Sequence, residues 1–143
     1  MIGDKIVVKE KYLVLANNVL DLLNDPTMLL KPGLCIAISG ESGCGKSTLA
    51  FALQKSLIAK GWNPFVFHMD DYFRLPPKSN HESRLADLKN VGPHEVDLEL
   101  LDSHLRKAKI RKDNLVKPLI HYHENVISSE TVNCAEHDMF IVE

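Results

Sequence analysis

At 143 residues, 45% hydrophobic and 25% charged, the chain has the length of one domain and enough apolar material for a buried core. Its net charge of -2 offers no basic face to nucleic acid or to an anionic membrane, and no apolar run approaches the roughly 20 residues that span a bilayer. Cys35, Cys44 and Cys134 lack CxxC spacing, and the N-terminal MIGDKIVVKEKY breaks any signal-peptide core with charge; both point to a soluble protein of the reduced cytoplasm.

Residues 11–24, KYLVLANNVLDLLN, predict an amphipathic helix that buries Leu15, Val19, Leu22 and Leu23 and stops before Asp25 and Pro26. With the residues before it, this helix makes an N-terminal extension over 1–31. After Pro32 and Gly33, LCIAIS has no polar alternation, the pattern of a parallel strand covered on both faces. STLAFALQKSLIAKG then places Leu49, Leu53 and Leu57 four apart with Ala52 between them, a helix that closes at Gly61.

PFVFH at 64–68 predicts a second strand, and the polar, proline-containing run 74–96 a long surface loop with a short helix around ESRLADLK. VDLELLDSHLRKAK predicts a helix with Leu98, Leu101 and Leu105 on one face, acids early and bases late, as the helix dipole prefers. MFIV is strand-like and ends at Glu143. The alternation of strand and helix predicts an α/β domain with a mostly parallel sheet flanked by helices, its nucleotide-binding core spanning 34–143. Ligands of such sheets bind at the carboxyl ends of the strands, where all three polar clusters of this chain fall.

The first cluster is ISGESGCGKST, residues 38–48. Gly40, Gly45, Lys46 and Ser47 satisfy GxxxxGK followed by Ser or Thr, the phosphate-binding loop or Walker A motif of P-loop NTPases, here between a predicted strand and helix. Glycines, with Gly43 among them, let successive N–H groups turn toward one centre, and the helix that follows aims its positive end there. The loop Gly40, Glu41, Ser42, Gly43, Cys44, Gly45, Lys46, Ser47 and Thr48 is thus the candidate nucleotide cradle. Lys46 would reach the β- and γ-phosphates, Ser47 would ligate Mg²⁺, and Thr48 would add a hydroxyl toward the α-phosphate.

The second cluster, HMDDYF, holds Asp70 and Asp71. Paired acids after a strand serve either as solvated turn residues and caps or as functional carboxylates. Asp70 is the better functional candidate, because it would face the phosphate cup and could bind Mg²⁺ or accept a proton from an attacking hydroxyl. Glu143 reads either as an acid near Mg²⁺ or as an exposed terminus. His121 and His123, at strand spacing without a third ligand nearby, read as polar imidazoles rather than a metal pair.

In order and spacing, GESGCGKST, DDYFR, GPHEVDLELLDSHL, KPLIHY and FIVE resemble the uridine kinase and phosphoribulokinase group of P-loop small-molecule kinases, from about residue 34 to the last residue. That resemblance implies ATP-dependent transfer of a γ-phosphoryl group to the hydroxyl of a nucleoside- or sugar-phosphate-like molecule. It also implies Lys46 and Asp70 in catalysis, Ser47, Asp70 and Glu143 around the metal, and Tyr72, Arg74 and His121 toward the acceptor. Three positions depart from the uridine kinase pattern: Val91 stands for an aspartate that reads the ribose, and Ile120 and Asn125 for the tyrosine and histidine that grip the base. They argue against uridine as acceptor.

The group's fold continues past the strand ending in this glutamate with an arginine-bearing lid, so the sheet is expected to be truncated after its third core strand and to self-associate along the open edge. Two other classes share the phosphate loop: an NTP hydrolase and a non-catalytic nucleotide-binding module. NKxD, DxxG and LSGGQ, the marks of GTPases and transporter ATPases, do not occur in these residues.

Overall fold

The computed structural model describes residues 7–24, 31–111 and 113–143. The predicted helix stop at Asp25 and Pro26, and the extension outside 7–24, lie outside the described residues. Three parallel strands form the sheet, β1 (Leu34–Ala37), β2 (Pro64–Phe67) and β5 (Met139–Val142), in the order β1-β5-β2. The register pairs Ala37 and Phe67 with Val142 from either side, so the three strands end level. The predicted α/β class with a parallel sheet between helices is the architecture found.

Helix α1 (Glu10–Leu23) and helix α2 (Lys46–Ala59) cover one face of the sheet. β5 alternates as a strand must: Met139 and Ile141 face α1 and α2 in a cluster with Leu20, Leu53 and Leu57, while Phe140 faces the opposite cluster with Phe67, Tyr72 and Leu101. The α1 face differs from the sequence expectation. Leu15 and Leu22 are exposed, and Ala16 and Leu20 are the buried residues. Ala16 and Leu20 lie in one cluster with Ala50, Ala52, Leu53 and Leu57 of α2, so that side of α1, and not the one bearing Leu15 and Leu22, meets α2.

α2 ends as predicted at Gly61, whose φ of 86° no β-carbon-bearing residue adopts readily. The Trp62 and Gly61 amides donate to the carbonyls of Leu57 and Ile58, the paired closure of a glycine-terminated helix.

The run 74–96 is more ordered than its composition suggests. It contains α3 (Pro77–Ala86) and two 3-10 turns, Leu88–Asn90 and Pro93–Glu95, and Phe73 and Val96 form an antiparallel bridge. Helix α4 (Leu98–Ile110) starts at an Asp97 cap that accepts from the Leu100 amide at 3.1 Å. It buries Leu101, His104 and Ala108 and leaves Leu98 in solvent. One element had no sequence expectation: an antiparallel hairpin of β3 (Asn114–His121) and β4 (Val126–Asn133), separate from the parallel sheet.

Candidate phosphate and acceptor site

The phosphate loop lies between β1 and α2, at the level where all three strands end. Gly45 precedes α2 at φ 96°, and a Cβ there would strike the Tyr12 hydroxyl of α1. A Cβ on Gly40 would stand 2.9 Å from the Cys44 Sγ and against the Lys46 side chain. Each glycine is thus hemmed in by side chains, Gly45 by Tyr12 of α1 and Gly40 by the loop's own Cys44 and Lys46. Glu41, Ser42, Gly43 and Cys44 form its exposed rim, and Lys46, Ser47 and Thr48 open α2, where the first amides have no carbonyl to bond within the helix. The Lys46 ammonium is folded back on the Glu41 carbonyl at 2.9 Å.

Glu143 follows β5 and reaches that loop. Its Oε2 accepts from the Ser47 hydroxyl at 3.0 Å, and its Oε1 lies 2.7 Å from the Nδ1 of His68. Burial would raise this carboxyl, but the hydrogen bonds from His68 and Ser47 and the nearby Lys46 charge hold it below the ordinary glutamate range. An ionised carboxylate only accepts, so toward it the His68 Nδ1 acts as the donor. Glu143 is not an exposed terminus, since only 8% of its side chain meets solvent.

Asp70 and Asp71 part company within one 3-10 turn, Met69–Tyr72. Asp70 is exposed beside the loop. The protein around it and then the Glu143 charge raise its carboxyl above the ordinary aspartate range. Asp71 turns inward to Lys117, whose ammonium donates at 2.8 Å, and accepts from the Ile120 amide at 3.1 Å. Burial works against its ionisation, and Lys117 and the Ile120 amide overcome that, leaving its carboxyl lowered. Asp71 is thus an internal anchor and not a solvated turn residue.

Beside Asp70 opens a cavity of about 260 Å³ lined by Phe73, Leu75, Asn80, Arg84 and Tyr122. Three residues assigned to the acceptor by resemblance do not line it. Tyr72 is 1% exposed, its hydroxyl 3.0 Å from the His104 Nδ1 in the core. Arg74 is drawn away to Asp97 at 3.3 Å. His121 bonds the Ser128 hydroxyl at 2.7 Å, while its strand neighbours Ile120 and Tyr122 line the cavity.

Of the departures from the uridine kinase pattern, Ile120 lines the cavity and Val91 is exposed. Asn125 fastens the hairpin to α3, accepting from the Lys78 amide at 2.7 Å and donating to the Ser79 hydroxyl at 3.1 Å. Among the described residues no cluster of three or more His, Cys, Asp or Glu could hold a metal.

Sequence reasoning missed His68, Asn80 and Arg84. Arg84 donates through Nε to Glu95 Oε2, which also accepts from Asn80 at 2.9 Å, while the Gly92 amide donates to Glu95 Oε1 at 2.8 Å. These three donors hold the Glu95 carboxyl at about 2 and fix the Arg84 guanidinium, which also lies over the Phe73 ring. The only sequence signal was the count of polar residues in a long ordered loop.

A Ser47 hydroxyl paired with a carboxylate presents the hard oxygen donors that suit Mg²⁺, and a glycine cup with a lysine at its edge suits a phosphate chain, so the residues present fit both groups. A parallel sheet carrying this loop, with an acid at the end of the adjacent strand, defines a P-loop nucleotide-binding domain. Residues 12–142 match the KAP family P-loop domain, and the chain belongs to that family.

Similar proteins are kinases in name. A stretch of 90 residues is 32% identical to the bifunctional alpha-galactosidase/sucrose kinase AgaSK of Mediterraneibacter gnavus, covering 56% of this chain and 10% of that protein. A possible uridine kinase from Bacillus stearothermophilus matches with a TM-score of 0.71 at 25% identity, over 93% of this chain and 69% of that one. A protein described as a fructose transport system kinase from Silicibacter sp. TM1040 matches with 0.66 at 26% identity, over 92% and 62%. D-glycerate 3-kinase from Cryptococcus neoformans, with 0.58 at 19% identity over 94% and 52%, shares the fold. The expected likeness to uridine kinase and related P-loop small-molecule kinases is therefore met, and this chain spans about a tenth of the curated relative it matches.

Among the described residues no helix is long and apolar enough to cross a membrane.

Proposed function

We propose that this domain serves an ATP-dependent phosphotransferase that moves the γ-phosphoryl group to a hydroxyl of a small, carbohydrate-like acceptor. The observation that carries this reading is the joining of three segments at one place: Ser47 on Glu143 at 3.0 Å, with Asp70 close enough to feel the Glu143 charge and lining a separate cavity. A nucleotide site alone would not need a second cavity that begins at a carboxylate.

In this reading the loop amides and Lys46 hold the β- and γ-phosphates, and Ser47 with Glu143 holds Mg²⁺, directly or through water. The metal, when bound, supplies charge neutralisation to the phosphate chain. The acceptor hydroxyl attacks the γ-phosphorus, its proton passes to Asp70, and ADP leaves with the electrons of the broken P–O bond. A carboxyl raised above its usual range accepts that proton more readily than an ordinary aspartate.

The acceptor cavity favours a neutral polyol over a phosphorylated sugar. Arg84 is neutralised by Glu95, Arg74 lies outside it beside Asp97, and Asp70 contributes a carboxylate to the lining. Phe73 and Tyr122 offer apolar faces to sugar C–H groups. The name of one relative, a sucrose kinase, agrees with this choice.

The test is ADP release by the protein carrying this domain, with Mg²⁺-ATP, across nucleosides, neutral sugars and sugar phosphates. Release that depends on a neutral sugar supports the proposal. Release without acceptor identifies a hydrolase, and binding without release a nucleotide-binding module.

A further inference from the structure

We propose that His68 is a positioning residue for Glu143, and that its Nδ1–H sets how well the site takes Mg²⁺ with its nucleotide. The inference rests on the reading of Glu143 as the metal-side carboxylate.

The placement follows from strand register. Phe67 pairs with Val142 in the last rung between β2 and β5, so His68 and Glu143 are the next pair along, one residue past each strand. The backbone continues to hold them there: the Glu143 amide donates to the Phe67 carbonyl at 3.1 Å and the Met69 amide to the Glu143 carbonyl at 2.7 Å. Neighbours in register project their side chains the same way. The imidazole and the carboxylate therefore meet because the sheet aligns them.

A glutamate has three side-chain torsions, and a buried one without partners could turn its carboxylate to any nearby cation. The 2.7 Å contact removes that freedom at Oε1 and leaves Oε2 directed at the Ser47 hydroxyl. One oxygen is thus spent on orientation and the other faces the loop. Partners that orient a metal-side ligand from behind typically change metal affinity by about 10- to 100-fold when removed.

His68 is two residues before Asp70, on the segment that leads into the acceptor side of the site. The same short stretch therefore supplies the group that orients the metal-side acid and the group proposed to take the acceptor's proton. His68 also lines a second cavity with Phe51, Gln54 and Lys117.

The experiment compares His68→Asn and His68→Leu. The asparagine amide nitrogen can stand where Nδ1 stands and donate the same hydrogen bond, whereas leucine keeps the bulk and removes the donor. ATP affinity is measured calorimetrically with and without Mg²⁺, and Mn²⁺ affinity in the presence of ADP is read by electron paramagnetic resonance. Thermal unfolding checks that each variant is folded.

The expected result is that His68→Leu loses about tenfold or more of metal affinity while metal-free nucleotide affinity stays unchanged, and that His68→Asn recovers most of the loss. Equal losses in both variants would reduce His68 to a packing residue, and unchanged metal affinity in His68→Leu would overturn its role directly. Glu143→Gln separates the two layers. If it too leaves metal affinity intact, the assignment of Glu143 fails and the role of His68 falls with it; if it weakens metal binding while His68→Leu does not, only the present inference fails.

Discussion

The Lys117 ammonium lies 2.8 Å from the Asp71 carboxylate, with the two side chains 2% and 1% exposed. This pair ties the β3–β4 hairpin to the turn that presents Asp70, because Lys117 is on β3 and Asp71 is the residue next to the proposed proton acceptor. Glu130 of β4 approaches the same ammonium at 3.3 Å, so both strands of the hairpin share in the anchor.

Removing Lys117 alone takes the balancing charge from a buried carboxylate that the Ile120 amide still contacts. Lys117→Met is expected to cost about 3–5 kcal/mol of stability, and the Asp71→Asn/Lys117→Met pair less than the sum of its single changes. Asp70→Asn, at an exposed position, should stay within about 0.5 kcal/mol. Urea unfolding measures all four; similar small losses throughout would show that the buried pair does not hold the hairpin.

How far the sequence alone reaches can be read from these same residues. The phosphate loop was legible because its glycines, Lys46 and Ser47 are neighbours in the chain, and the strands because apolar runs ended in turn residues. The hairpin was not. Lys117 and Pro118 interrupt β3, and β4 exposes Val126, Ile127, Ser128 and Ser129, so neither strand shows the apolar alternation of a covered one. Asp71 and Asp70 are adjacent and identical in type, and only the fold decides which turns inward. His68 is a single residue whose meaning comes from register with a partner 75 positions away.

At the phosphate loop, Lys46→Ala removes a charged donor and Ser47→Ala the hydroxyl that meets Glu143. Charge-assisted hydrogen bonds are worth about 1.5–3 kcal/mol, so each change should weaken Mg²⁺-ATP binding by about tenfold or more. Calorimetry with the folded variants checks this. Unchanged affinity in both would remove the loop from nucleotide binding.

Asp70→Asn should lower turnover by about 10² or more while Mg²⁺-ATP binding persists, because the change removes a proton acceptor and leaves the phosphate cradle whole. Asp71→Asn should instead act through stability, with its activity recovering at lower temperature. Steady-state kinetics beside thermal unfolding separates the two. A fully active Asp70→Asn enzyme would exclude Asp70 from the reaction.

Acid should loosen the cavity beside Asp70. The Glu95 carboxyl is lowered to about 2 from an ordinary 4.5, first by Arg84 and then by the Gly92 amide and Asn80. A lowered folded-state value means that its stabilisation is present above pH 4.5 and is lost as the pH falls toward 2. Asp71, also lowered, adds in the same direction. Urea midpoints of the wild type should therefore fall more steeply through this interval than those of Glu95→Gln, and parallel slopes would contradict the account of Glu95.

The most direct test of the whole account follows the phosphoryl group itself. Protein carrying this domain is incubated with Mg²⁺ and ATP labelled at the γ-phosphate, with a neutral sugar acceptor present, and the label is located among ATP, inorganic phosphate and the acceptor. The account predicts label on an acceptor hydroxyl, abolished by Lys46→Ala and strongly reduced by Asp70→Asn. Label found only in inorganic phosphate, at the same rate with or without acceptor, would contradict it and make the domain a hydrolase.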